Sequence, residues 1–403
     1  MTGLAALFGL QVFLAAGGAS TVAAPLDSAV TVFLQNRLQE ALPLFDALAE
    51  ADPSAAMPRA WSAECLRRLS RGEEAERRAK EALALDPANS TAHVVLAALY
   101  LPQFRSGVKG AGYDAAWKEM LAAVEADPDD GEGWLLVWDE AMRRGDRDRE
   151  REALHRLSKT GFFTPAVVAY NRWALENLPP DAVFFTNGDM DTYPAVMLQE
   201  VERLRPDVAV VNLSLLNTEW YQRLVAERGG LPAPEKDYRP YRDEAGLVHL
   251  ANQQMVERWV GAAKSGELER PLAVSVTVSS PEITRGMKDR LELAGPYFLF
   301  RPQGEADSLN VDLLARSLDG VDPKDFTGPW ASRRDRSPIR QMHTVNIGDN
   351  IPAAALRLAF RLLEEGDKAG ALARAQWVED FKAEVPGRLR FEEPLKMIRE
   401  RAR

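Results

Sequence analysis

Three Asp-Pro dipeptides, Asp52-Pro53, Asp86-Pro87 and Asp127-Pro128, each close a stretch of helical periodicity and fix the length of what lies between them. The first two are 34 residues apart. The last two are 41 apart, the same period with a seven-residue insertion. Counting twelve positions back from each proline gives Ala41, Ala75 and Ala116, and five back gives Leu48, Ala82 and Ala123. A small or apolar residue at a fixed place in each period lets two helices approach closely, and a unit of this length is a helix pair that cannot bury its apolar face alone. The spacing therefore predicts helix pairs stacked on one another over residues 26–163.

This pattern resembles the tetratricopeptide family, with Ala63 where the second repeat usually carries glycine. The resemblance implies a concave surface that binds an extended peptide or a partner domain; the alternative is that the helices simply pack on the next domain. Gly107, Gly110 and Gly112 lie beside the insertion, between helices and after no strand, so they read as a loop and not as a phosphate cradle. Composition narrows the field further. A chain of 403 residues suits two or three domains at roughly 100 to 200 residues each. At 46% hydrophobic it is too apolar to be disordered, and one cysteine, Cys65, makes no disulfide scaffold. The net charge of −10 argues against a nucleic-acid partner held by bulk charge, and the short basic cluster Arg333, Arg334 and Arg336 is flanked by acids and reads as a solvated loop.

Leu4 to Ala19 is apolar apart from Gln11 and runs into the small residues up to Ala24, as in the core and cleavage zone of a secretory signal. We expect residues 1–25 to be a signal peptide or membrane anchor that places the protein in the periplasm or outside the cytoplasm. No basic residue precedes the run, so an apolar first helix in a cytoplasmic protein stands as the alternative. Nothing after residue 25 approaches the roughly 18 apolar residues of a membrane span.

From about residue 180 the pattern changes to short apolar runs. Val183 to Thr186 and Val208 to Leu213 lack alternation, as strands buried on both faces do. Between them, Pro194 to Arg205 reads as a helix with Pro194 in its first turn and Met197, Val201 and Leu204 on one stripe. A second unit is expected from a strand at Leu272 to Val278, a helix capped by Ser280, begun by Pro281, lined by Ile283, Met287 and Leu291 and ended by Gly295, and a strand at Tyr297 to Phe300. The expected fold is thus a tetratricopeptide-like helical array (26–163), a small, mainly parallel Rossmann-like α/β domain (164–345) and a C-terminal helical hairpin (346–403) with a short last helix. No G-x-G-x-x-G follows the first strand, which disfavours a dinucleotide site.

Residues 184–194 read Phe-Phe-Thr-Asn-Gly-Asp-Met-Asp-Thr-Tyr-Pro, and the blocks from Leu198 to Glu202, Arg205 to Val208 and Val211 to Tyr221 follow in order. This stretch resembles the soluble C-terminal region of membrane proteins carrying domain of unknown function 2723, which are protein O-mannosyltransferase-like glycosyltransferases; Pro271 to Ser279 is similar to a later strand of that region. The resemblance covers roughly residues 165–380. Met190 and Tyr193 stand where that family usually has Asn and Phe. Its chemistry belongs to a membrane half that these residues do not match, so the resemblance implies an accessory module in an envelope or glycosylation context.

Asn187, Asp189, Asp191 and Thr192 follow the first strand, and Asn212, Ser214 and Asn217 end or follow the second; in an open parallel sheet, ligands sit at these ends. Two readings stand open. As chemistry, Asp189 and Asp191 hold Mg²⁺ or Mn²⁺ and present it to a nucleotide-sugar diphosphate, the cation being required because two carboxylates beside a helix N-terminus repel a phosphate. As structure, Asp191 or Thr192 caps the helix, Asp189 satisfies turn N–H groups, and Asn212, Ser214 and Asn217 do the same at the sheet end. Trp220 and Tyr221 either stack on a sugar or pack the following helix. His343, near Asn346 and Asp349, is a further ligand candidate; His93 and His155 in repeat helices and His249 at the start of a helix show no metal spacing. No nucleophile elbow, zinc-protease motif, cysteine cluster or P-loop is present. The leading expectation is a non-enzymatic accessory protein without a cofactor, binding a protein partner or peptide through its repeats. The alternative is a metal-dependent glycosyl or nucleotidyl transferase, or a nucleotide-sugar binder, using Asp189 and Asp191.

Overall fold

A computed structural model describes residues 23–102, 106–278, 284, 286–304, 306–327, 347–385 and 390–403. Most of the expected signal segment, the Ser280, Pro281 and Ile283 start of the expected second helix, the basic cluster at Arg333 and the candidate His343 lie outside the described residues. No described helix is long and apolar enough to cross a membrane.

Eight helices form the N-terminal array: α1 (Ala23–Leu34), α2 (Leu38–Ala51), α3 (Ala56–Arg68), α4 (Gly72–Leu85), α5 (Ser90–Tyr100), α6 (Tyr113–Ala126), α7 (Gly131–Arg144) and α8 (Arg147–Thr160). The Asp-Pro turns are built the same way three times. The N–H groups of Asp52, Asp86 and Asp127 donate to the carbonyls of Leu48, Ala82 and Ala123 at 3.1, 2.9 and 3.0 Å, closing each helix on the apolar position counted from the sequence. Each Asp carboxylate then turns back to accept from the backbone N–H two residues on, at Ser54, Ala88 and Asp129. Ala41, Ala75 and Ala116 are fully buried between paired helices. The first helices α1, α3, α5 and α7 pack on one another in succession, whereas α2, α4 and α6 reach the next pair by packing on its first helix. The first helices therefore form the inner layer of a curved stack, a tetratricopeptide-like array. The loop carrying Gly107 and Gly110, both at φ 78°, bulges out between α5 and α6 as a loop.

The chain continues through α9 (Pro165–Asn177), β1 (Val183–Thr186), α10 (Asp189–Glu202), β2 (Ala209–Asn212), α11 (Glu219–Gly229), the hairpin strands β3 (Tyr241–Arg242) and β4 (Val248–His249), α12 (Ala251–Ser265), β5 (Leu272–Ser275), β6 (Leu291–Leu293), β7 (Tyr297–Phe300) and α13 (Val311–Asp319). The tail is α14 (Asn350–Glu364), α15 (Lys368–Glu384) and α16 (Glu392–Ala402), with α14 and α15 packed as a hairpin. The main sheet has the order β2-β1-β5-β7-β6. β1 pairs in parallel with β2, Val183 opposite Ala209, and with β5, Val183 opposite Leu272. Both faces are covered, which is why β1 does not alternate: Val183 and Phe185 enter the large core that also holds Trp259 of α12, while Phe184 enters a second core with Ala174, Leu175 and Leu198.

The sheet is mixed and not mainly parallel. β7 pairs antiparallel with β5 and with β6. Leu291 to Leu293, expected at the end of a helix, is instead a strand. Only Ala294, Gly295 and Pro296 separate it from β7, too short a link for a parallel crossover, so the two strands form a hairpin. His249 likewise ends β4 and does not begin α12.

Helix α10 begins five residues before Pro194, which sits inside it. Proline lacks the N–H that would bond to the carbonyl four residues back, so Met190 is left with an unpaired acceptor. The buried amide of Asn171, on α9, donates to that oxygen at 2.8 Å and to the Val167 carbonyl at 2.8 Å. Asn171→Ala is expected to lower stability by about 1–3 kcal/mol in denaturant unfolding, and Asn171→Ala with Pro194→Ala to lose much less, because alanine at 194 restores the helical N–H. Equal losses in the two variants would refute this role.

Candidate functional site

At the carboxyl ends of β1 and β2 the expected site residues meet, and they bind one another. Asp191 is 4% exposed; its Oδ2 accepts from the Asn187 N–H at 2.8 Å and its Oδ1 from the Gly188 N–H at 2.9 Å. Oδ2 also accepts from the Thr277 hydroxyl, just beyond β5, so one carboxylate ties the start of α10 to the neighbouring strand. Thr192 Oγ1 lies 2.6 Å from Thr186 Oγ1 and accepts from Asn212 Nδ2 at 3.2 Å. Asn212 Oδ1 in turn accepts from the N–H groups of Ser214 and Leu215, and Ser214 Oγ donates to the Asn187 carbonyl at 3.0 Å. Asn217 Oδ1 accepts from the Asn252 N–H at 3.2 Å. These are the cap and turn contacts of the structural reading.

Asp189 points elsewhere. It is exposed, four residues before Tyr193, whose hydroxyl it hydrogen-bonds, and it faces Asp139 of α7. The two carboxylates of the Asp-x-Asp element are thus separated by the helix turn that carries them. No group of three or more His, Cys, Asp or Glu side chains placed to hold a metal occurs among the described residues. Asp139 has a buried Oδ1 with no hydrogen-bond partner. Burial first, then the Glu140 and Asp189 charges, push its carboxyl up to about 7. Tyr193 also packs edge-on against Trp138 at 4.8 Å, so α10 is seated directly on the last repeat. His93, in α5, joins Glu119 at 2.6 Å to the Pro87 carbonyl at 3.0 Å and is a strut of the third repeat. Tyr221 turns its hydroxyl to the Asn212 N–H at 3.0 Å and packs against Trp220.

A further feature was not signalled by any motif. A cavity of about 310 Å³ opens beside β2, an edge strand, between α7 and α8 of the array and α10 and α11 of the α/β unit. Its floor is apolar, with Leu154, Val196, Val208, Val210 and Leu224 among the lining residues, and its rim carries Arg147, Arg151, Arg203 and Arg228 with Glu150 and Glu200. Glu150 stands 34 residues after Ala116, at the small-residue position of the fourth repeat. It is 4% exposed and is gripped at both oxygens by Arg228, at 2.8 and 2.9 Å, with Arg147 at 3.0 Å. These residues are spread from Trp138 to Gly229, and only the break in the alanine register at Glu150 marks the place in the sequence.

The family model that matches this chain describes TMEM260-associated domain 2 and covers residues 167–228, which hold β1, α10, β2 and nearly all of α9 and α11. No curated protein matches the chain. Among solved structures, the chain is similar to a tetratricopeptide repeat protein from Parabacteroides merdae, at 15% identity over 66% of this chain and 83% of that one, with a TM-score of 0.30. It is also similar to the APC/C hetero-tetramer Cut9-Hcn1 (12% identity, 93% and 55% covered, TM-score 0.30) and to the P58(IPK) TPR domain (11% identity, 95% and 97% covered, TM-score 0.18). At such scores the assignment of the array rests on its own helix pairs and turns.

Two outcomes follow for the site. Asp191→Ala is expected to cost about 2–3 kcal/mol in unfolding, because two N–H groups and a hydroxyl lose their charged acceptor, while Asp189→Ala, which costs the Tyr193 hydroxyl one acceptor but relieves Asp139 of a like charge, costs about 1 kcal/mol or less. Asp139 binds its proton more tightly folded than unfolded, where a carboxyl titrates near 4, so its contribution falls as pH rises from about 4 to about 7. Unfolding midpoints measured from pH 4 to 8 should show Asp139→Asn to be the more stable form at pH 8, by about 1–3 kcal/mol, with that part of the slope removed.

Proposed function

We propose that this protein is an accessory scaffold that binds a protein partner or peptide through the inner face of its helical array. The observation that carries the reading is the stacking of α1, α3, α5 and α7 into one layer, which presents side chains such as Met57, 40% exposed, along a continuous surface. We further read the α/β half as a Rossmann-like unit in which β1, with β2 on one side and β5 on the other, is the topological switch point. In folds of that kind a ligand crevice opens at the switch point; here Asp191 and Thr277 bond across it, which favours a structural over a catalytic role for this edge. The sequence resemblance of residues 184–221, and the family match over the same stretch, support an envelope or glycosylation setting as the context of the scaffold, with the protein exported or anchored through its N-terminal segment.

A photo-crosslinking residue placed at Met57, on the inner helix α3, tests the reading against the same residue at Leu85, an exposed position at the end of α4. In cells of the source organism the Met57 probe should capture a discrete protein adduct that the Leu85 probe does not. Equal capture at both positions, or none at Met57 with capture from the α/β half, would overturn it.

A further inference from the structure

We propose that the cavity beside β2 binds a small amphiphilic anion, a short acyl chain or aromatic body ending in a carboxylate or phosphate. Its volume of about 310 Å³ lies at the lower end of the range for small-molecule sites, and such sites combine an apolar lining with a few convergent polar groups. The charge on the rim does not cancel: four guanidinium groups face two carboxylates. Glu150 is taken up fully, by two bonds from Arg228 and one from Arg147. Glu200 is shared loosely by Arg151 at 3.6 Å and Arg203 at 4.0 Å, beyond hydrogen-bond distance, and these arginines are 53% and 73% exposed. Their donors are the ones at hand for an incoming head group, and a planar fork of this kind suits a carboxylate or phosphate.

The floor selects for the body. Leu154, Val196, Val208, Val210 and Leu224 offer hydrocarbon and no charge, so an inorganic anion would fill only the mouth and a neutral chain would leave the arginines unused. Because the walls come from α8 on one side and α10, β2 and α11 on the other, a bound molecule touches both halves of the protein. Binding to the folded form alone raises its stability by mass action. The site is independent of whatever the array binds.

Calorimetric titration of the full chain with decanoate, decan-1-ol and inorganic phosphate provides the test. Decanoate should bind saturably, decanol at least tenfold more weakly, and phosphate without saturation. Arg151→Ala with Arg203→Ala should abolish the preference for decanoate over decanol. Leu224→Trp, on a half-buried wall position, should weaken decanoate at least tenfold while the circular dichroism spectrum and thermal midpoint stay those of the parent. Absence of saturable decanoate binding to the folded protein, decanol binding as tight as decanoate, phosphate binding as tight as decanoate, or unchanged binding in Leu224→Trp would each overturn the proposal.

Discussion

The grip of Arg228 on Glu150 draws a carboxylate almost fully out of water at the place where a helical repeat should present an alanine, and the join between the two halves of the molecule depends on it. Three times before, the register holds Ala41, Ala75 and Ala116, and each helix pair closes against the next. A fourth small residue would invite another pair. A glutamate there needs a cation; Arg147 of α8 supplies one bond, and the two-bond grip comes from α11, 78 residues further on. Removing Arg228 leaves the buried Glu150 with Arg147 alone, and removing Glu150 leaves Arg228, 31% exposed, to water, so the contact works as a specification of which surface α8 faces more than as a source of net stability.

From that contact the rest of the junction follows. Once α8 faces α10 and α11, Trp138 meets Tyr193, and the outer edge of β2 is roofed by the array. The roof does not fill the space under it: arginines and glutamates line the cleft together with Val208 and Val210 at β2 and the leucines of α8 and α11. On the other side of α10 the polar groups at the strand ends are spent on one another: Asp191 on two N–H groups and a hydroxyl, Thr192 on Thr186 and Asn212. The molecule thus has a closed polar edge and an open, cationic, apolar-floored cleft.

What the sequence disclosed was what is local. The Asp-Pro turns are local, each Asp bonding to the residue four before it and to the residues two and three after it, so their spacing was legible. The β1-α10-β2 unit was legible for the same reason, whereas the sequence left the capping and metal-holding readings of Asp191 both open. The start of α10 was not, because the amide that makes Pro194 tolerable inside a helix belongs to Asn171, on a different helix. Leu291 to Leu293 misled because a short apolar run has no period of its own, and only the brevity of the Ala294 to Pro296 link separates strand from helix. The cavity was hidden because its walls come from four helices and an edge strand, and no short window of sequence spans both the array side and the α/β side.

The claim that one buried ion pair makes a single body of the array and the α/β unit is tested most directly by a double-mutant cycle on Glu150→Ala and Arg228→Ala, followed by denaturant unfolding with one probe in each half. The account predicts that the parent unfolds in one transition at both probes, that each single variant separates the two transitions, and that the double variant is less destabilised than the sum of the singles by about 2 kcal/mol or more. Additive losses, or a parent whose two halves already unfold apart, would contradict it.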